Sequence, residues 1–281
     1  MKLIRNPKQI QRCSLNLRSK GKRIGFVPTM GYLHEGHLSL IRRSVKECDL
    51  TVVSIYVNPL QFGPREDFKR YPRNLKRDMM LAAAAGADYV FAPRDIDMYP
   101  GEFLTAVCVD KIGKILCGSS RPGHFTGVTT VVTKLFNIVL PDIAYFGQKD
   151  AQQAVIIRKM AKDLNMPVTI KVLPTAREPD GLALSSRNAY LNPSQRQDAL
   201  VIYKSLRKAR QLIRQGERNP HTIVISIKRL IQRVDSARID YINIVDAADL
   251  SRIKKIKGNI LIALAVFIGK FRLIDNIMLR V

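Results

Sequence analysis

The chain has no tryptophan, few acidic residues, few cysteines and no long hydrophobic run, and each shortage removes a class of protein. Its four cysteines, Cys13, Cys48, Cys108 and Cys117, contain no C-x-x-C pair, so they make neither a disulfide framework nor a zinc site. The longest apolar run, Ile260 to Ile268, falls far short of the roughly 20 residues a membrane helix needs. It reads as a buried strand, and no membrane partner is expected. Neither G-x-G-x-x-G nor G-x-x-x-x-G-K-[ST] occurs, so dinucleotide binding and P-loop chemistry lose their usual support. Aromatic residues are 7%, and no K/R-G-F/Y-G/A-F-V run marks an RNA-recognition sheet. The first 23 residues carry eight basic residues, no acid and no apolar stretch, unlike a secretory signal. A cytoplasmic protein is expected.

Hydrophobic residues make up 46% and charged residues 25% of the 281, enough to pack two domains. The charge is the unusual feature: 47 Lys+Arg face 23 Asp+Glu, a net +24. Residues 1–200 hold 30 basic against 17 acidic groups and residues 201–281 hold 17 against 6, so the excess is densest at the end. Clustered Lys and Arg release counterions from nucleic-acid phosphates. The same field around a pocket assists capture of small anions. Charge leaves both readings open.

Short β-branched runs alternate with helical stretches over the first 175 residues. Strands are expected at Ile24–Pro28, Leu50–Val57, Asp88–Ala92, Ile143–Phe146 and Val168–Pro174, with helices at Gly36–Glu47, Arg73–Ala85, Val128–Val139 and Asp150–Leu164. Such alternation implies parallel pairing in a doubly wound sheet. After Pro174 come a loop-like stretch, two basic amphipathic helices (Ser194–Gln215 and His221–Val234) and three strands (Ile239–Val245, Ile260–Ile268 and Phe271–Leu279). The expectation is an α/β domain over 1–176 and a smaller α+β domain over 177–281.

Ligands of an open parallel sheet bind beyond the carboxyl ends of its strands. Four strand ends carry polar, Gly- or Pro-bearing chain: Thr29 to His37, Asn58 to Phe62, Gly147 to Asp150 and Thr175 to Glu178. His34 and His37 are three apart, so they share one face at a helix start. They do not fit H-E-x-x-H, and no third metal ligand is signalled. Capping or core filling would account for a lone histidine. Two in one loop with Gly31 and Gly36, at a helix N-terminus, are suited to phosphate oxygens that gain charge during a displacement. Lys149 sits between a strand end and a helix. Ser185, Ser186 and Arg187 follow a Pro-Asp-Gly turn, and could close over phosphates or simply form a polar hinge. Gln61 and Gln153 are neutral amides able to orient a hydroxyl or carboxylate.

The runs VPTMGYLHEGHLSL, VSIYVNPLQF, YPR, RPGHFTGV, FGQKDAQQ, REPDGLALSSRNAYL and FRLIDNI resemble, in order and over most of the chain, the pantothenate synthetase family. A His-x-Gly-His pair alone is shared with class I aminoacyl-tRNA synthetases and other nucleotidyl transferases. Its combination with NPxQF, G-x-KD-x-QQ and SSRN is specific. The resemblance implies a Rossmann-like first domain of the His-x-Gly-His type with a C-terminal lid. It also implies ATP-dependent joining of pantoate to β-alanine through pantoyl adenylate, releasing diphosphate and AMP.

Carried over residue by residue, the resemblance makes Met30, Gly31, Tyr32, Leu33, His34, Glu35, Gly36 and His37 an ATP-side loop, with His37 as proton donor and His34 beside it. Gly147, Gln148, Lys149 and Asp150 would line the ATP site, with Lys149 on the phosphates. Ala176 would touch adenine through its backbone, and Leu184, Ser185, Ser186 and Arg187 would clamp ATP from the second domain. Gln61 would contact pantoate and β-alanine, and Gln153 pantoate. Mg²⁺ would be held mainly through the nucleotide, with no protein metal site. A homodimer formed through the first domain is implied, and no specific nucleic-acid partner. Leu184 stands where many members have Met, Gln148 where Glu is commoner, and Arg77 before Asp78 where some members carry a second Asp. Two rival readings remain: another small-acid adenylating enzyme of the same superfamily, or a basic nucleic-acid-binding protein.

Overall fold

Strands form where the apolar runs lie, in a computed structural model that describes residues 1–64 and 66–281. β1 (Lys2–Ile4), β2 (Ile24–Thr29), β3 (Leu50–Ile55), β4 (Tyr89–Phe91), β5 (Ile143–Gly147) and β6 (Thr169–Leu173) make one sheet in the order β1-β4-β3-β2-β5-β6. Every pair is parallel. Helices α1 (Pro7–Ser19), α2 (Glu35–Glu47), α3 (Leu75–Ala84), α4 (Asp95–Met98), α5 (Cys117–Ser120), α6 (His124–Val139) and α7 (Ala151–Asp163) join them. Consecutive residues of β5, Ile143 through Phe146, are all buried, as strands covered on both faces must be. From β2 the chain winds outward through β3 and β4, then crosses to β5 and β6 on the other side. The winding therefore reverses between β2 and β5, which makes their carboxyl ends the switch point where ligands of such sheets bind.

Two compact units divide the chain. The first is Met1–Gly147 with Ile156–Pro174, and the second is Gln148–Val155 with Thr175–Val281. The second unit holds α8 (Pro193–Asp198), α9 (Leu200–Arg214), α10 (Pro220–Ile231) and an antiparallel sheet, β7 (Ala237–Asp246), β8 (Asn259–Ile268) and β9 (Phe271–Arg280), with β8 central. The nine-residue apolar run is β8. Its Ile260, Ile262, Leu264, Val266 and Ile268 share a core with Ile202, Leu206 and Ile213 of α9 and Ile223, Ile227 and Ile231 of α10. The spacings of two and of three or four residues are those of one strand face and one helix face.

Several elements differ from expectation, the short helices α4 and α5 among them, and three stretches differ most. The basic start is a strand and a helix: β1 pairs with β4, and Asn6 caps α1 by accepting the Gln9 N–H, with Pro7 in the first turn. Helix α6 begins at His124, four residues before Val128, entered through Gly123 at φ +81°. The stretch Ser194–Gln215 is two helices, α8 and α9, meeting at Ala199, whose carbonyl takes a tight bond from the Ile202 N–H.

Close packing of helix on sheet places the loops. A Cβ on Gly25 of β2 would lie 2.0 Å from Ser44 Oγ of α2, and one on Gly127 of α6 would lie 2.2 Å from the Leu60 carbonyl. Only a glycine lets α6 approach the turn Pro59–Gln61 this closely. At the end of α2, the Glu47 carboxylate accepts from Lys171 (2.8 Å), Tyr145 (2.8 Å) and Arg43 (2.7 Å), which ties the helix to β5 and β6. Those hydrogen bonds, Lys171 first and Tyr145 second, hold its carboxyl down at about 2 against an ordinary 4.5. A depressed carboxyl contributes stability that is fully present above its ordinary value and is lost as pH falls through the folded one. Glu47→Gln is therefore expected to lower the unfolding midpoint at pH 7 and to lose that penalty progressively as pH falls from about 4.5 towards 2. Thermal melts of parent and variant across that range check it; a penalty independent of pH would contradict it.

Candidate active site

The loop that leaves β2 turns sharply. Gly31 has φ +82° and Tyr32 φ +51°, a left-handed pair that a non-glycine residue adopts only when held there. Asp78 of α3 holds it. One carboxylate oxygen accepts the Tyr32 N–H (2.8 Å) and the other the Leu33 N–H (2.7 Å), and the side chain is 1% exposed. A Cβ at Gly31 would meet that carboxylate at 2.9 Å. Arg77 adds a second clasp by donating to the Leu33 carbonyl (2.9 Å) with its guanidinium over the Tyr32 ring. Asp78 is thus a buckle on the loop, with both oxygens committed to backbone.

The buckled loop delivers His34 as the residue capping α2. The His34 N–H points to His37 Nδ1 at 3.3 Å, and the two rings lie 4.0 Å apart at 33°. With Nδ1 accepting, the neutral His37 ring carries its proton on Nε2, as a donor. Two imidazoles over the N-terminal turn of α2 combine side-chain donors with the positive end of the helix. Glu35 is the first residue of α2. It pairs with Arg42, whose hydrogen bond holds the carboxyl below its ordinary value.

Gln61 ends the turn Pro59–Gln61 and is buried. Its side-chain oxygen accepts from Asn58 Nδ2 (3.2 Å) and its nitrogen points to Met30 Sδ (3.1 Å). Asn58, 1% exposed, also donates to the Gly127 carbonyl (3.0 Å) and accepts from the Tyr99 hydroxyl (2.7 Å). The Gln61 carbonyl takes His124 Nδ1 (2.7 Å), and His124 Nε2 lies 2.9 Å from Arg121 Nη1. A carbonyl can only accept, so the His124 contact donates from Nδ1. Arg121 in turn pairs with Glu66 (2.5 Å). Burial pushes the Glu66 carboxyl up, but the Arg121 hydrogen bond and charge outweigh it, and the net shift is downward.

In the second unit, Gln148, Lys149 and Asp150 form a 3-10 turn that runs into α7. Lys149 Nζ is 3.8 Å from Asp150 Oδ2 and its side chain is mostly buried. Gln153 lies in the first turn of α7, half-buried. The Leu184 N–H donates to the Ala176 carbonyl (3.0 Å), so two segments assigned to ATP are joined directly. Ser185 Oγ caps the short turn Ser186–Tyr190 by accepting the Arg187 N–H (3.3 Å), and Ser186 is buried. In the first unit, then, Met30 meets Gln61 and His34 meets His37, and Asp78 clasps the loop between these two contacts. In the second, Lys149 is on one turn and Ala176 and Leu184 are on a bridged pair of segments.

Sequence reasoning singled out none of Asn58, Arg121 and His124, and named Asp78 only as the residue that follows Arg77. The Asn-Pro dipeptide is a turn and capping signal that could have singled out Asn58. Nothing local marks the others. Among the described residues no group of three or more His, Cys, Asp or Glu side chains could hold a metal.

Known proteins resemble the chain along almost its whole length. The family model for pantoate-beta-alanine ligase matches residues 2–278. The pantothenate synthetase of Caldicellulosiruptor saccharolyticus is 56% identical over 265 residues, 94% of each chain. The crystal structure of pantothenate synthetase from Thermus thermophilus superposes with a TM-score of 0.94 at 41% identity over 99% of both chains. The pantoate-beta-alanine ligase of Francisella tularensis, complexed with beta-gamma ATP and β-alanine, matches with a TM-score of 0.80 at 38% identity, covering 99% of this chain and 97% of that one. The doubly wound sheet, the strand-end loops and the matches along the whole length lead to one conclusion: the chain belongs to the pantoate–β-alanine ligase family.

Proposed function

We propose that the chain condenses pantoate with β-alanine using ATP, and that the buckled loop Met30–His37 carries the first step. A pantoate carboxylate oxygen attacks the α-phosphorus of ATP; the bond to the β-phosphate breaks and diphosphate leaves. The β-alanine amine then attacks the acyl carbon of pantoyl adenylate, loses a proton, and AMP departs as the acyl–oxygen bond breaks. Displacement at phosphorus asks the protein mainly for positioning and charge neutralisation. His37 donates from Nε2 and His34 stands beside it, while the N-terminal amides of α2 favour the same negative charge. The observation that supports this reading best is Asp78 fixing Tyr32 and Leu33, which removes the loop's freedom before substrate arrives.

Gln61 meets pantoate and then β-alanine, and Gln153 meets pantoate. Lys149 meets the phosphates, flanked by Gly147, Gln148 and Asp150. Ala176 meets adenine through its backbone. Leu184, Ser185, Ser186 and Arg187 complete the nucleotide contacts and exclude water from the adenylate. Magnesium held through the nucleotide would supply charge neutralisation on the phosphates. Asp78 does not fit it as a ligand, because both of its oxygens accept amides and Arg77 lies 3.8 Å away. The active form is a cytoplasmic homodimer made through the first unit.

The direct test is incubation with Mg-ATP, pantoate and β-alanine, with products read by mass. AMP and pantothenate should form together only when both acids are present; AMP formed equally with an unrelated carboxylate would point to another adenylation. His37→Ala should lower turnover by about 10²–10³-fold, the usual cost of a lost transition-state donor, and lower stability far less, by the cap it gives the His34 N–H. A folded variant at the parent's rate would take His37 out of the mechanism. Gln61→Ala should raise KM for pantoate about tenfold or more while ATP affinity holds. Loss of ATP binding with both acids unaffected would contradict its assignment.

A further inference from the structure

The last strand carries two adjacent buried polar residues, Asp275 and Asn276, each 4% exposed. They belong to the run FRLIDNI, for which the chemistry above has no use. Asn276 Nδ2 donates to two successive carbonyls, those of Gln148 and Lys149, both at 2.9 Å. Its Oδ1 accepts from Gln148 Nε2 at 3.2 Å. Two carbonyls facing one nitrogen settle which end of the amide is which, since only an NH₂ group can donate to both. An aspartate of the same shape would turn a carboxylate towards the carbonyls, and a serine could reach at most one of them.

Holding the carbonyls on either side of the Lys149 Cα restrains the two peptide planes that set the direction of its side chain. All three side-chain hydrogen bonds of Asn276 go to this turn, although the residue belongs to β9. Asp275 does the corresponding work for the neighbouring segment. Its oxygens take Arg177 Nη1 and Nη2 at 2.6 and 2.8 Å, and Arg177 also donates to the Gly181 carbonyl (3.0 Å) with its guanidinium 4.1 Å over the Tyr203 ring. Arg177 bridges to Ala183, the residue before Leu184. Adjacent residues of one strand therefore hold both the Lys149 turn and the base of the Ala176–Leu184 pair.

We infer that Asn276 is a positioning residue for the reaction: it aims Lys149 at the nucleotide by fixing the carbonyls of Gln148 and Lys149. This role presupposes that Lys149 meets the phosphates, as proposed above.

A double-mutant cycle separates the two claims. ATP affinity is measured by titration calorimetry for the parent, Asn276→Ala, Lys149→Ala and the double variant, with pantoate KM and melting temperature alongside. Asn276→Ala should weaken ATP binding about tenfold in the parent and not further in Lys149→Ala, leaving pantoate KM unchanged. Asn276→Asp, equal in shape and opposite in hydrogen bonding, should weaken ATP at least as much. If Asn276→Ala does not fold, Asn276→Ser takes its place in the cycle, with a rise of about threefold expected from its single donor. Equal weakening with and without the Lys149 side chain, or unchanged ATP affinity in a folded Asn276 variant, overturns the role of Asn276 alone. A Lys149→Ala protein that binds ATP like the parent overturns the assignment of Lys149, and the role of Asn276 falls with it.

Discussion

A segment that leaves a parallel strand leaves the ladder behind, and its backbone N–H and C=O groups need other partners once they are shielded from water. In this chain the partners are buried side chains from distant stretches of sequence. Asp78 takes the amides of Tyr32 and Leu33 and Asn276 donates to the carbonyls of Gln148 and Lys149, while Asn58 ties its own loop to the Gly127 carbonyl of α6. These three side chains are 1%, 4% and 1% exposed, so none can exchange its partners for solvent. Stripping one away would leave buried groups unpaired at about 1–3 kcal/mol each. That penalty keeps the loops in one conformation, and one conformation is what an in-line displacement at phosphorus requires.

The two units reach this end differently. In the first, the helices come close enough for loops to be gripped from above: Gly127 lets α6 touch the Pro59–Gln61 turn, and His124 at the start of the same helix reaches the Gln61 carbonyl. Gln61 is then fixed at its backbone by His124 and Arg121 and at its amide by Asn58 and Met30. In the second, a strand of the antiparallel sheet gives one position on each face, Asp275 and Asn276, to anchoring loops. The central strand β8 carries the apolar packing that β9 forgoes there, since Ile260, Ile262, Leu264 and Val266 are all fully buried.

The parallel sheet was legible because strands covered on both faces must be apolar at successive positions, as IAYF is at Ile143–Phe146. The central strand β8 of the antiparallel sheet was legible for the same reason, buried at successive positions from Ile260 to Val266. β1 and α1 were not: the strand is three residues long, and α1 buries only Ile10 and Ser14, so a basic stretch hides its one apolar contact line. The start of α6 was missed because Arg-Pro-Gly-His reads as loop until Gly123 is seen at positive φ. Of the site, the histidines, Gln61 and Lys149 stood out as chemistry beside strand ends. Asp78 and Asn276 did not, because what each holds lies 46 and 128 residues away in sequence, and no local pattern encodes a partner at that distance.

Two of the three departures from the family's common pattern, at positions 148 and 77, take on a purpose once these anchors are known. Asn276 has committed its NH₂ group to two carbonyls, so only its oxygen is left to face residue 148. Gln148 meets that oxygen with a donor, where an ionised glutamate would bring a second acceptor and repel it. At position 77, an arginine donates to the Leu33 carbonyl and covers the Tyr32 ring, where a carboxylate would have no proton to give. Both changes remove or reverse a negative charge near residues assigned to a polyanionic substrate, and both add a hydrogen bond to the loop that presents those residues. Some of the chain's basic surplus is therefore built into the supports of its site: Arg77 on the His34 loop, Arg121 behind Gln61 and Arg177 beneath Ala176 each donate to a loop carbonyl. Arginine suits that work because its guanidinium stays charged, offers five donors, and can hold a carboxylate and a carbonyl at once.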